Sequence, residues 1–165
     1  MGTRKIGWAR MRSLINENTN SMWHNRPANL TVTADATLSD ADSGKIILFG
    51  TAAAGLASDT TLTLPTATLG LYYMLRYMGG AADAHDLQID TGSDTNFFIG
   101  GLHGKDSDGG DDTAVYHPNL SSNSKLNILT PDSGTWIELW CDGTNWFLNG
   151  KVISATDTEI TWADQ

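Results

Sequence analysis

The sequence predicts an all-β protein, a β-sandwich or jelly-roll-like antiparallel domain, and three observations support this fold class. Of the 165 residues, 17 are glycine and only 10 are lysine or arginine. Short apolar runs alternate with turn-forming residues throughout residues 30–165. The body shows about ten such runs and no long helical pattern, which is typical of two-sheet sandwiches. We therefore divide the chain into an N-terminal arm, residues 1–29, and a β-sandwich domain, residues 30–165.

The clearest element is a β-hairpin over residues 134–150. An Asp-Gly pair divides two runs of aromatic and aliphatic residues, which is the strongest short-range hairpin signal. In the first strand, alternation places Trp136, Glu138 and Trp140 on one face, and the aliphatic residues with Cys141 on the other. The aliphatic face is predicted to enter the core. The tryptophan face is predicted to contact another subunit.

The other strands follow from alternating patterns or from buried runs that end at turn residues. They are predicted at 30–38, 45–49, 60–64, 71–78, 87–89, 96–99, 113–116, 126–129, 151–154 and 158–162. The segments 50–59, 100–112 and 118–124 are predicted to be loops. Residues 95–101 echo residues 144–150, TNFFIGG against TNWFLNG. We interpret this echo as one turn-and-strand chemistry used twice, because a single echo does not make a repeat architecture.

Charge divides the chain into two parts. Residues 1–26 hold five basic residues and one acidic residue, a net charge of +4, whereas residues 27–165 hold five basic and 18 acidic residues, a net charge of −13. An acidic body repels nucleic acid, so we expect no nucleic-acid partner. No apolar run approaches the roughly 20 residues of a membrane span, and no secretory signal is recognisable. We therefore expect no membrane partner and synthesis in a cytoplasm.

The basic N-terminal segment has the composition of a docking arm. Trp8, Met11 and Ile15 recur at helical spacing and predict a short amphipathic helix over residues 7–16. Such a short helix is marginal in water and needs a surface to dock on. A frayed terminus and a nucleic-acid-binding segment are the alternatives. The residues expected to contact the partner are Arg4, Trp8, Arg10, Met11, Arg12, Ile15, Trp23 and Arg26.

No pattern in the sequence indicates catalysis, and we predict no enzyme and no cofactor. Asp106 and Asp108 have the opening spacing of a calcium loop, but the later ligand positions do not match, so a solvated acidic loop is the preferred interpretation. The four histidines, His24, His85, His103 and His117, form no paired ligand motif. The single cysteine excludes an internal disulfide and a cysteine-based zinc site.

Three sequence segments together resemble the small β-domains of tailed-phage virions. They are TLTLPTA at 61–67, GLYY at 70–73, and the hairpin segment from GTW at 134–136 to DGTNW at 142–146. Such domains occur in head decoration (cement) proteins and in tail fibres, commonly as trimers. The segment Met1 to Arg26 is similar to the docking arms of decoration proteins. A tail fibre would usually carry the module in a longer chain with shaft segments.

This resemblance implies a phage structural protein on the outer surface of the virion head. The N-terminal arm would dock on the major capsid protein and stabilise the head by bridging capsomers. The β-domain would form a homotrimer, with a subunit interface at Trp136, Trp140 and Trp162. The alternative is a tail-fibre or receptor-binding β-domain that recognises host surface glycan through the same exposed aromatic residues.

Overall fold

The computed structural model describes residues 11–12, 29–81, 83–108, 113–156 and 158–165, and these residues confirm the all-β class. One short 3₁₀ turn, Asp40–Asp42, connects two of the strands. The strands are β1 Leu30–Val32, β2 Ala36–Thr37, β3 Ile46–Phe49, β4 Thr60–Thr63, β5 Tyr72–Tyr77, β6 Leu87–Asp90, β7 Phe98–Asp106, β8 Val115–Pro118, β9 Lys125–Ile128, β10 Trp136–Cys141, β11 Trp146–Ser154 and β12 Ile160–Ala163.

The strands form two sheets that share one hydrophobic core in a sandwich-like arrangement. The seven-stranded sheet has the order β1-β3-β5-β10-β11-β7-β8, and the five-stranded sheet has the order β12-β9-β6-β4-β2. Alternate residues of most strands point inward, so Tyr73, Leu139 and Trp146 of the larger sheet belong to the same core as Leu62 and Leu126 of the smaller one. The outer faces of the two sheets therefore lie on opposite sides of the protein.

The sheets are mixed, which corrects the prediction of an antiparallel domain. From β1 to β6 consecutive strands lie in different sheets, so the chain winds alternately through the two layers. Strands two steps apart then become parallel neighbours, as in β1–β3, β3–β5, β2–β4 and β4–β6. Local sequence could not reveal this, because a short connection can return to the same sheet or cross to the other one.

Two predicted boundaries are wrong for identifiable reasons. The strand predicted over residues 30–38 is broken, and its halves β1 and β2 belong to different sheets. The loop predicted over residues 100–112 is a strand as far as Asp106. The glycines of β7 indicated a loop in the sequence, but the sheet requires them because a neighbouring strand approaches too closely for a side chain. A Cβ on Gly101 would lie 2.6 Å from the carbonyl oxygen of His117 on the neighbouring strand.

The predicted hairpin is confirmed as β10–β11, an antiparallel pair in which Trp136 lies opposite Lys151 and Cys141 opposite Trp146. The predicted inner face of β10 is buried, with Ile137 and Leu139 fully inaccessible to solvent. The turn is longer than the Asp-Gly pair and comprises residues 142–145. Of the two residues in that pair, Gly143 alone has a positive φ, 97°.

The two echoing segments are neighbours in the structure. β7 and β11 pair in parallel, with Trp146 opposite Phe98. The side-chain amide of Asn96 donates to the carbonyl oxygen of Thr144 at 2.6 Å, and the N–H of Phe97 donates to Asn145 Oδ1 at 3.1 Å. The two similar turns therefore hydrogen-bond to each other at the starts of two adjacent strands. The strand pairing is offset by one residue from the sequence match, which aligns Trp146 with Phe97.

Candidate functional site

An apolar row crosses the outer face of the seven-stranded sheet, and we call it the aromatic band. Its members are neighbours on four strands: Tyr72 of β5 pairs with Trp140 of β10, Trp140 with Phe147 of β11, and Phe147 with Ile99 of β7. Trp140 is 41% exposed and Ile99 is 39% exposed. An aromatic row of this kind on an open sheet face is typical of surfaces that contact a partner.

Exposed leucines lie at both ends of the aromatic band. Leu69 is 77% exposed, and its Cβ is 3.5 Å from the position that a Cβ on Gly143 would occupy beside the hairpin turn. At the other end, the N–H of Asn119 donates to the carbonyl oxygen of Gly100, which places the chain before Leu120 beside Ile99. Leu120 is 87% exposed. Leu69 and Leu120 are therefore two further exposed apolar side chains near these strands.

Two rings of the aromatic band stack against each other. Trp140 and Phe147 are nearly parallel, with an interplanar angle of 13° and a centroid separation of 5.7 Å. The hydroxyl of Tyr72 donates a hydrogen bond to Glu138 Oε1 at 3.1 Å. Burial and this hydrogen bond raise the pKa of Tyr72, so it stays neutral. Stacked rings present edges and one outer face, which suits packing against another protein surface.

The structure separates the three tryptophans predicted to form a subunit interface. Trp136 is on the same outer face as Trp140, but in a different row, where its cross-strand neighbours are Arg76 and Lys151. Trp162 lies on β12 of the other sheet and packs against Phe98, with ring centroids 6.1 Å apart. Trp140 alone belongs to the aromatic band, and Trp162 contributes to the edge of the core.

Most residues of the predicted docking arm lie outside the described residues. These are Arg4, Trp8, Arg10, Ile15, Trp23 and Arg26. Met11 and Arg12 are described, and both have helical backbone conformation and exposed side chains. No helix among the described residues is long and apolar enough to cross a membrane.

The histidines occupy separate environments. His85 is 3.6 Å from Asp59, His103 packs on the ring of Tyr116, and His24 lies outside the described residues. His117 Nε2 is 3.2 Å from a carboxylate oxygen of the buried Glu159, a contact that joins the edges of the two sheets. In the described ranges no group of three or more His, Cys, Asp or Glu side chains could hold a metal ion, and residues 109–112 of the acidic loop lie outside those ranges.

Comparison with models of protein families, with curated proteins and with solved structures gives no match to this chain. The resemblance to virion β-domains therefore stays a prediction.

Sequence reasoning found Trp140 but missed the other members of the aromatic band. Phe147 could have been placed from the alternation of β11, in which its neighbours Trp146 and Leu148 are buried. Tyr72 and Ile99 could not, because they reach Trp140 and Phe147 through the pairings β5–β10 and β7–β11. Neither pairing joins strands that are consecutive in the chain.

Proposed function

We propose that the protein is a phage structural protein that decorates the outer surface of the capsid. The observation that carries the proposal is the aromatic band, a rigid apolar surface on a domain whose net charge is −13. Copies of an acidic domain repel each other, so they can approach closely only where charges are absent. The band supplies such a surface, and we assign it to the contact between copies in a homotrimer.

The second part of the proposal is attachment to the major capsid protein through residues 1–26. This segment carries a net charge of +4 and two tryptophans, Trp8 and Trp23. Tryptophan side chains supply most of the energy at the centre of an interface, and arginines at its rim select an acidic partner. A trimer presents three such segments, so each further attachment becomes intramolecular and the whole gains avidity. Bridging of neighbouring capsomers would oppose their separation.

Capsid binding by the full chain and by a chain that lacks residues 1–26 tests this proposal. All strands of the described residues lie within 30–163, so the shorter chain should fold. We expect it to keep its strand content and its oligomeric state but not to cosediment with capsids. Capsid binding by the shorter chain at full strength would refute the role of the segment. Antibody labelling of virions, with label on the head, tests the location.

The exposed ring of Trp140 favours a second candidate, a tail module that recognises host surface glycan through the aromatic band. Saccharides can stack on an exposed aromatic ring, and Trp140, which is 41% exposed, is the most exposed ring of the aromatic band. A glycan array separates the two functions. Receptor binding would be favoured over capsid decoration by two results together. One is specific glycan binding that Trp140→Ala abolishes without unfolding the protein, and the other is antibody label on the tail.

A further inference from the structure

The outer face of the five-stranded sheet is polar, in contrast to the aromatic band. Alternate residues of β4, β6 and β9 are buried, and those between them face solvent in cross-strand register. One row across the face consists of Thr61, Gln88, Asn127 and Thr161. The other row consists of Thr37, Thr63, Asp90 and Lys125.

Two adjoining depressions on this face form one elongated trough. Their volumes are about 470 Å³ and about 330 Å³, and both are lined by Asp35, Thr61 and Gln88. Each volume is in the range of about 300–1,000 Å³ that is usual for ligand sites. The trough crosses from β2 to β9, four strands spaced about 4.8 Å apart, so it suits an extended ligand of several units.

The side chains around the trough are held in place by backbone hydrogen bonds. Asp35 Oδ1 accepts a hydrogen bond from the N–H of Thr61 at 2.8 Å, across a separation of 26 residues. Asp86 Oδ1 accepts one from the N–H of Thr130 at 2.9 Å. Each bond uses one carboxylate oxygen and fixes the direction of the other, so less side-chain entropy would be lost on binding.

Some hydrogen-bonding capacity in the trough is unused within the described part of the chain. The hydroxyls of Thr61 and Thr63 make no bond there, and neither does Asp90 Oδ1, which is buried. The other oxygen, Oδ2, accepts from Gln88 Nε2 at 3.1 Å. Burial raises the pKa of Asp90, against the opposing effect of Lys125. Because Asp90 Oδ1 is enclosed by the protein, the groups in the trough that stay open to a ligand O–H are the two threonine hydroxyls.

The chemistry of the trough excludes most classes of ligand. Most of its lining residues are threonine, aspartate, asparagine or glutamine, which disfavours a strongly apolar ligand such as a lipid. The carboxylates repel phosphates and acidic polymers. The described residues contain no cluster that could hold a metal ion. An ammonium-type cation can only donate hydrogen bonds, whereas threonine hydroxyls and the Gln88 amide both donate and accept. A neutral polyhydroxyl ligand matches both properties.

We propose that this trough binds a neutral saccharide chain, with Gln88 at its centre and the hydroxyls of Thr61 and Thr63 as partners for sugar hydroxyls. The assignment goes beyond capsid decoration, because it gives the side of the domain opposite to the aromatic band a ligand of its own. It does not depend on where in a virion the protein lies, and it can be tested on the isolated full chain.

The test is an array of neutral and acidic oligosaccharides built from glucose, galactose, mannose, N-acetylglucosamine and uronic acids, followed by titration calorimetry with the best soluble neutral one. We expect specific binding of a neutral chain that Gln88→Ala weakens at least tenfold. Asn149→Ala, which removes an exposed amide from the opposite face, is the matched control and should bind like the unchanged protein. Trp140→Ala should also keep its affinity for the soluble oligosaccharide.

Three outcomes would overturn the proposal. The first is a folded full chain that binds no neutral oligosaccharide on the array. The second is binding that Trp140→Ala abolishes and Gln88→Ala leaves unchanged, which would assign the ligand to the aromatic band. The third is binding of acidic chains alone, or of a polyamine such as spermidine in place of every saccharide. Circular dichroism of Gln88→Ala confirms that a lost signal is not lost folding.

Discussion

Replacing Trp140 by alanine should weaken association between copies of the protein, by an amount that follows from its exposure. A tryptophan side chain has about 250 Å² of surface, so 41% exposure leaves about 100 Å² for a partner to cover. At about 25 cal/mol per Å², burial of that area supplies about 2.5 kcal/mol for each contact, or roughly 60-fold in the dissociation constant. Loss of the stack on Phe147 costs the folded monomer about 1 kcal/mol more.

Sedimentation equilibrium over a wide range of protein concentration measures the effect. Tyr116→Ala is the control, because Tyr116 is 50% exposed on the same sheet but pairs with His103 outside the aromatic band. We expect the control to associate like the unchanged protein. The Trp140→Ala variant should dissociate at a concentration roughly 10-fold to 60-fold higher, because it lacks the exposed tryptophan surface that a partner would cover. Equal association constants for all three folded proteins would show that the aromatic band is not the contact.

Three further predictions concern stability. In the turn after β2, hydrogen bonds from Lys45 and Ser39 lower the pKa of Asp42 from 3.8 to about 2, so the stability it adds is present above pH 4 and lost as the pH falls toward 2. In urea unfolding, Asp42→Asn should cost about 1 kcal/mol at pH 7 after allowance for solvent screening, and this cost should disappear as the pH falls through about 2. For Asp90 the pH dependence has the opposite sign, because burial raises its pKa. The free energy of unfolding relative to Asp90→Asn should fall as the pH rises from below 3.8 through the raised pKa. A difference that does not change with pH would contradict this prediction. Gly104→Ala would place a Cβ 2.8 Å from His117 Nε2 and should lower Tm, at a cost of about 1–3 kcal/mol in the free energy of unfolding. Gly80→Ala is the control, because its Cβ would have its nearest contact at 3.9 Å and should leave Tm unchanged. Equal Tm values for the two variants would show that the His117 side chain can move aside without cost.

The local part of the fold was predictable from sequence, and the part that depends on distant pairing was not. The β10–β11 hairpin was predicted because an Asp-Gly turn and two alternating runs lie within 17 residues. Its inner face was predicted because a period of two assigns each side chain to one side. The alternation of β1 to β6 between the two sheets produces no comparable sequence signal, since strands of both sheets have the same pattern of alternating buried and exposed residues.

The candidate site divides in the same way. Trp140 could be found from its own strand, but the aromatic band is made by four strands, and Tyr72 comes 68 positions before Trp140 in the chain. The polar trough was missed altogether, because threonine, glutamine and aspartate on strands are also what a plain solvated face would contain. What distinguishes it is the cross-strand register that lines up Gln88 with Thr61, and the two threonine hydroxyls that stay open to a ligand.

The two surfaces have consequences for each other because they lie on opposite faces of one sandwich. Association through the aromatic band covers the seven-stranded sheet and leaves every polar trough of the assembly exposed. A trimer would then offer three troughs to a surface that carries many copies of one saccharide, and weak single contacts would add up through effective concentration. Trp140→Ala should accordingly reduce attachment to an immobilised polysaccharide while leaving the affinity for a soluble oligosaccharide unchanged. Gln88→Ala should reduce both. Equal attachment of the Trp140→Ala variant and the unchanged protein to the immobilised polymer would show that the two faces act independently.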